Sequence, residues 1–199
     1  RKHGMEKIVG PLGFSDKDPQ GFQIEGFEHP SFIVSATNYP YMPVMIEREG
    51  YEKKVDLVSY FIKIPEKLPD VYEKAYTRII RNNQFRIVEF KSKKEIKKYI
   101  LPILELLNQT FIEIYGFVPL DDNEKIDLAK RYLMIIDPKF VKVVESEGKL
   151  VGFAVGIPDI SPGIKAAKGK MFPFGFIKVF QASKRSKKLL MMLGGIKKE

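Results

Sequence analysis

Lys187–Glu199 reads KKLLMMLGGIKKE, and the eight residues from Leu189 to Ile196 are all apolar or glycine between flanking lysines. An unbroken apolar run of that length, bounded by charge, predicts a strand buried on both faces. Such a strand sits centrally in an α/β domain, where a ligand lies beyond its C-terminal end and the next helix N-terminus takes any phosphate. The sequence ends at Glu199 and begins with Arg1 rather than Met. The expectation is therefore a piece of a longer chain, read as two segments flanking absent parts.

Of the 199 residues, 44% are hydrophobic and 30% charged, which suits a globular chain of one ordinary domain or two small ones. The absence of cysteine excludes disulfides, thiolate zinc sites and cysteine nucleophiles, and makes a reducing cytoplasm the expected compartment. Leu150–Ile157 and Leu189–Ile196, the longest apolar runs, fall well short of the roughly 18 residues a spanning helix needs, so no membrane partner is expected. The net charge is +9, but its placement matters more than its size. Residues 1–84 carry 12 basic and 12 acidic side chains, whereas residues 161–199 carry ten Lys and Arg against the single acid Glu199. That excess is either a solvated face or an attraction for an anionic ligand such as a nucleotide phosphate or, less expected, nucleic acid.

Along the chain, Gly4 reads as the stop of a helix end and Lys7–Gly10 as a short strand. Ser15–Gly26 concentrates Ser, Asp, Pro and Gly. Its carboxylates Asp16, Asp18 and Glu25 lack the spacing of a calcium loop and are read as turn residues. Val44–Glu49 ends at Gly50 as a capped helix, and Lys54–Ile64 alternates as a strand. Pro65–Gln84 has one apolar face, through Leu68, Val71, Ala75, Ile79 and Ile80, and is read as a helical linker. Phe85–Phe90 alternates as a strand. Ser92 and Glu95 then form a capping box before Ile96, Tyr99, Ile100, Ile103, Leu104, Leu107, Phe111 and Ile114, which recur at helical spacing. Pro102 inside that helix is expected to kink it. Asp121 and Glu124 cap a second helix through Ile136, Glu147-Gly148 turns a hairpin between Phe140–Glu145 and Lys149–Ile157, and Phe176–Ser183 is helical before the last strand.

The segment Glu147-Gly148-Lys149 followed by Leu150-Val151-Gly152-Phe153-Ala154 resembles the E-x-G-K turn and third strand, L-V-G-F/Y-A, of the GNAT superfamily of acyl-CoA-dependent N-acyltransferases. Leu193–Glu199 is similar to that superfamily's fourth strand, L-x-[AG]-V-x-P-E, with Gly195 and Ile196 matching and Lys198 in place of the proline. In the superfamily an R-G-x-G pyrophosphate loop follows, a position beyond Glu199. Val9–Gly21, Asn38-Tyr39-Pro40-Tyr41 and Glu47–Tyr51 resemble the closing half of another such unit, as in a bacterial subgroup with two in tandem. The resemblance implies a mixed, mostly antiparallel sheet flanked by helices and assembled from two incomplete units. Residues 1–64 would be the C-terminal half of a first unit, 65–84 a linker, and 85–199 the N-terminal half of a second.

The resemblance also implies acyl transfer from acetyl-CoA or another acyl-CoA, as cosubstrate, to an amine acceptor. It places Gly195, Ile196 and Lys197 against the cofactor, because a strand edge can hold the pantetheine arm by main-chain hydrogen bonds. The competing reading of Gly194-Gly195 is close helix-on-strand packing. Acyl transfer needs a base for the amine and an acid for the thiolate, and no catalytic residue is assigned. Glu113, Glu145 and Asp159 are candidate bases, each equally readable as a solvated or capping carboxylate. In the first unit the tyrosine that commonly supplies the acid is replaced by Ile46, leaving Tyr39 or Tyr41 as substitutes. His3 and His29 have no ligand-spaced partners, so no metal is expected. Because the pyrophosphate loop would lie past Glu199, this chain by itself is expected to bind acyl-CoA weakly and to be inactive. The alternative function is a non-catalytic module that holds an anionic ligand or nucleic acid through the basic C-terminal third. There Phe172, Phe174, Phe176 and Phe180 interleave with Lys170, Lys178, Lys184 and Arg185. One further expectation is that Lys7–Gly10 pairs with Leu189–Ile196, each half covering an edge the other lacks.

Overall fold

The computed structural model describes residues 3–198 except 17, 19, 34 and 83, with the side chains of 134 and 135 also left aside. The fold is mixed α/β. Its order is α1 (Tyr41–Arg48), α2 (Asp70–Arg81), β1 (Phe85–Glu89), α3 (Lys93–Thr110), α4 (Asp122–Ile135), β2 (Val141–Ser146), β3 (Lys149–Pro158), α5 (Ser161–Ala166), α6 (Gly175–Arg185) and β4 (Leu189–Ile196). The four strands form one sheet in the order β1-β2-β3-β4, every pair antiparallel.

Local chemistry sets the ends of these elements. Asp121 and Glu124 make the reciprocal capping box of α4: the Glu124 N–H donates to the Asp121 carboxylate at 2.8 Å, and the Asp121 N–H donates to the Glu124 carboxylate at 2.9 Å. At α3 the box is shifted by one residue. Ser92 Oγ accepts from the Glu95 N–H, but the Glu95 carboxylate reaches past Ser92 to the Lys91 N–H at 2.8 Å. That bond holds the Glu95 carboxyl below its ordinary range, since it favours the charged form. Gly50, at φ +84°, closes α1 with the paired 6→1 and 5→2 bonds Tyr51 N–H to Ile46 O and Gly50 N–H to Glu47 O, a left-handed stop that glycine adopts without strain. Glu147 and Gly148, both at positive φ, form the two-residue turn whose twist matches a hairpin.

The core lies between one sheet face and α3 with α4. Ile96, Ile100, Ile103, Leu104, Leu106 and Leu107 pack on Val88, Val141, Val143, Phe153 and Val155, with Tyr99, Phe111 and Tyr132 at the margin. The expected face of α3 is correct from Ile96 to Leu107 and the helix runs on through Pro102, but it ends at Thr110, and Ile114, the last residue of the expected series, lies exposed beyond it. Burial pushes the Tyr132 phenol up.

Three expectations are corrected. Leu189–Ile196 is a strand with the expected bounds, but it is the edge of the sheet rather than its centre, and its residues alternate between exposed and half-buried. Two of its eight positions are glycines, which lengthen an apolar run without supplying side chains to bury. Lys7–Gly10 forms no strand and no ladder with β4, so the proposed cross-half pairing is absent. Its preceding helix end falls partly on Arg1 and Lys2, outside the described residues, although Gly4 does take φ +68°. Lys54–Ile64 also forms no strand. It carries the alternating pattern but has no partner for its peptide groups, and a strand exists only in a ladder. Lys54 Nζ lies 5.1 Å from the Tyr115 ring, and Lys188 Nζ 5.6 Å from the Phe61 ring. The segment therefore touches the chain near both ends of β4. All described hydrophobic core residues belong to positions 88–167.

Candidate functional site

The sequence points to the C-terminal end of β4, and the register there separates neighbouring residues by role. Lys197 donates its N–H to the Val151 carbonyl at 2.8 Å, so Val151 and Lys197 are a hydrogen-bonded pair. Such pairs alternate along an antiparallel ladder with pairs whose peptide groups turn outward. Gly195, opposite Phe153, therefore bonds inward to β3. Gly194 and Ile196, opposite Ala154 and Gly152, present N–H and C=O to the side of β4 that, among the described residues, no strand occupies. Ile196 is 78% exposed.

Gly195 has a packing role in the fold. A Cβ there would lie 2.6 Å from the Thr110 hydroxyl and 2.8 Å from the Phe153 ring, so the C-terminal turn of α3 approaches β4 only because that side chain is missing. Thr110 turns its hydroxyl back to the Leu106 carbonyl at 2.9 Å. Sequence reading missed this residue, and helical periodicity carried no signal for it. Gly195→Ala is expected to lower stability by about 1–3 kcal/mol, the usual cost of overpacking, read as a shift in the urea midpoint at unchanged m-value. An unchanged midpoint would mean that α3 does not press on β4 at this point.

The three candidate bases do not converge. Glu113 lies in the turn after α3 and pairs with Lys198 at 2.8 Å, both side chains largely exposed; the Lys198 hydrogen bond holds its carboxyl below the ordinary range. This places Glu113 beside the end of β4. Glu145 stands on β2, accepting a hydrogen bond from the Tyr99 hydroxyl at 2.9 Å. That carboxylate, together with burial, pushes the Tyr99 phenol up. Asp159 is buried, and its carboxylate accepts from the Ser161 N–H at 3.0 Å, which opens α5. It lies at the other end of β4, since its N–H donates to the Lys188 carbonyl. Eight residues of strand at ~3.3 Å each put that end some 26 Å from Ile196. Asp159 thus takes up one N–H of the first turn of α5 from the position before its N-cap, Ile160.

Elsewhere, Tyr39 and Tyr41 stack on one another at 5.6 Å, and Ile46 is exposed on α1. The Asp18 carboxylate accepts the Phe14 and Ser15 N–H groups, the turn chemistry expected of it. Two shallow clefts lie along α2 and between α2 and β1, the second lined by Tyr76, Ile80, Phe85 and Ile87. They are away from β4, and the one along α2 is lined by the charged and polar side chains of Glu73, Lys74, Thr77, Arg78, Arg81 and Asn82. No described helix is long and apolar enough to cross a membrane.

No protein-family model matches the chain. It is similar to the bacterial ceramide synthase of Caulobacter vibrioides (strain NA1000 / CB15N), 26% identical over 201 residues that cover 100% of this chain and 52% of that protein. It is also similar to the protein YghO of Escherichia coli (strain K12), 26% identical over 187 residues that cover 90% of this chain and 45% of that protein. The chain spans about half the length of the curated relatives it matches.

Proposed function

We propose that this chain is part of an acyltransferase of the GNAT kind, carrying an acyl group from an acyl-CoA to an amine. The observation that carries the reading is the open side of β4, where Gly194 and Ile196 offer outward peptide groups with no bulky side chain at Gly194 or Gly195 to block an approaching chain. A pantetheine arm contains two amides and lies along such an edge as an added strand would, with its amides meeting the peptide groups. The relative named a ceramide synthase supports the same chemistry. A ceramide is an amide, so making one from an acyl donor joins an acyl carbon to an amine nitrogen.

The residues at this end of β4 would divide the work of holding the donor. Gly195 lets α3 and β4 close up, which fixes the strand whose edge would hold the donor. Gly194 and Ile196 would orient the arm, and Lys197 stands next to them with its charge available to a phosphate. The Glu113–Lys198 pair borders the same end. The acceptor amine must lose a proton before it attacks the thioester carbonyl, and the thiolate must leave.

Ile196→Pro tests the reading. The Ile196 N–H faces away from β3, so proline there removes no ladder bond and an edge strand tolerates it, yet it deletes one donor from the open side. Titration of the 199-residue chain with acetyl-CoA and with a long-chain acyl-CoA, followed by amide NMR, is expected to shift Gly194 and Ile196 first. The variant is expected to weaken the titration about fivefold or more, the scale of one lost hydrogen bond of about 1 kcal/mol. Shifts confined to the α2–β1 cleft, or an unchanged affinity in the variant, would reject β4 as the donor site.

A further inference from the structure

Between β3 and β4 the chain leaves the sheet and builds a helical hairpin, α5 against α6. Gly163 permits the contact, because a Cβ there would meet the Val179 backbone at 2.7 Å and the Ala182 methyl at 2.8 Å. Gly175 does the same at the turn, where a Cβ would strike the Lys170 carbonyl. Val179 and Ala182 thus face α5. Phe176, Phe180 and Lys184, spaced four apart, define the other side of α6.

That other side is apolar and uncovered. Phe172 is 86% exposed, Phe174 68% and Phe180 59%, and Met171, Phe176 and Ile177 are exposed with them. Six large apolar side chains within ten consecutive residues exceed the scattered exposure normal for a surface. The charge around them has one sign: residues 160–198 contain ten Lys and Arg and no Asp or Glu. Lys184 lays its stem along the apolar stripe, its Nζ 4.6 Å from the Phe180 ring centre, and Lys178 donates to the Ala166 carbonyl at 3.0 Å beside the hairpin contact.

We propose that the α5–α6 hairpin is a peripheral membrane-docking element for an anionic bilayer surface, with Phe172, Phe174 and the Phe176–Phe180 stripe entering the interfacial layer. The partner follows from two observations that coincide. An apolar protein partner would account for the phenylalanines and leave the cations unexplained. A polyanion without bases to stack would account for the cations and leave Phe172 and Met171 in water. A leaflet of anionic lipid meets both, because rings enter at headgroup depth while lysines stay at the phosphates. This is consistent with the absence of a spanning helix among the described residues, since such an element lies on the surface. It replaces the expectation of no membrane partner, which rested on run length, and it stands apart from the acyl-transfer reading.

Flotation of the 199-residue chain is measured with vesicles of phosphatidylcholine alone and of an equal mixture of phosphatidylcholine and phosphatidylglycerol. Binding is expected on the mixed vesicles only, and to weaken as salt rises. Two variants separate the contributions: Phe172→Ser/Phe174→Ser removes insertion, and Lys184→Glu/Arg185→Glu reverses charge. All four residues are exposed, so the far-UV spectrum and melting midpoint should stay as in the parent chain, and each variant should bind mixed vesicles at least about tenfold more weakly. Equal binding to both vesicle types, undiminished binding in either variant, or no vesicle binding at all would overturn the proposal. Retention of a thymidine oligonucleotide without vesicle binding would assign the surface to single-stranded nucleic acid instead.

Discussion

Leu107→Ala is expected to destabilise the chain by about 2–5 kcal/mol, the range for truncating a buried leucine whose surroundings relax only in part. Leu107 is 2% exposed and belongs to the cluster that joins α3 to the sheet. Its carbonyl also accepts the Phe111 N–H at 2.9 Å at the end of α3, where Phe111 packs on Phe117. The cavity would open between a rigid helix and a rigid sheet, neither free to collapse. Urea denaturation of parent and variant measures the difference. A shift below about 1 kcal/mol would place Leu107 outside a closed core, contrary to the ordinary cost of such a deletion.

That helix was legible because several levels of the sequence agree on it. Ser92 and Glu95 mark the start, the 3.6-residue period gives the face, and both survive in the structure with two changes: Glu95 caps through Lys91, and Ile114 falls beyond the helix end. The same holds for the α4 capping box and for the Glu147-Gly148 turn, where a few residues dictate their own backbone. Legibility ends where structure depends on a distant partner. The alternation in Lys54–Ile64 states what the segment would do beside another strand, and it says nothing of whether that strand is there. α5 escaped notice inside a Pro/Gly stretch because its six residues are too few for a period to show. Its short helix is held by packing on Val179 and Ala182 across the Gly163 gap.

At the candidate site the sequence supplied the glycines but not their division of labour. Gly194 and Gly195 are chemically identical neighbours. Only the ladder parity set by Val151 and Lys197 shows that one turns its peptide to the open edge and the other to β3. Likewise Glu113, Glu145 and Asp159 read alike in sequence and part company in the structure: one at a surface ion pair, one under a tyrosine hydroxyl, one opening a helix. Asp159 is held in its place by the Ser161 N–H, which needs an acceptor at the α5 start, a demand no one-dimensional pattern reveals.

Phe153→Ala tests whether the β4 edge is held from beneath. Phe153 is 5% exposed, stands opposite Gly195 and Val143, and lends its ring to fill the space that Gly195 leaves empty under α3. Its removal is expected to cost about 3–5 kcal/mol, the range for a buried phenylalanine. β4 should loosen first, because an edge strand has one neighbour and this one depends on β3 for its ladder. Amide exchange resolved by residue should therefore show larger losses of protection at Gly195 and Lys197, which bond inward, than at Val143 in the middle of the sheet. Combining Phe153→Ala with Gly195→Ala supplies the control. Each change alone destabilises, one by a void and the other by crowding against the same ring, so the double variant should be more stable than additivity predicts by about 0.5–3 kcal/mol, the coupling expected of residues in contact. Additive effects would mean that the ring and the glycine do not share that space. Protection lost uniformly across the sheet would mean that β4 opens only with the whole fold.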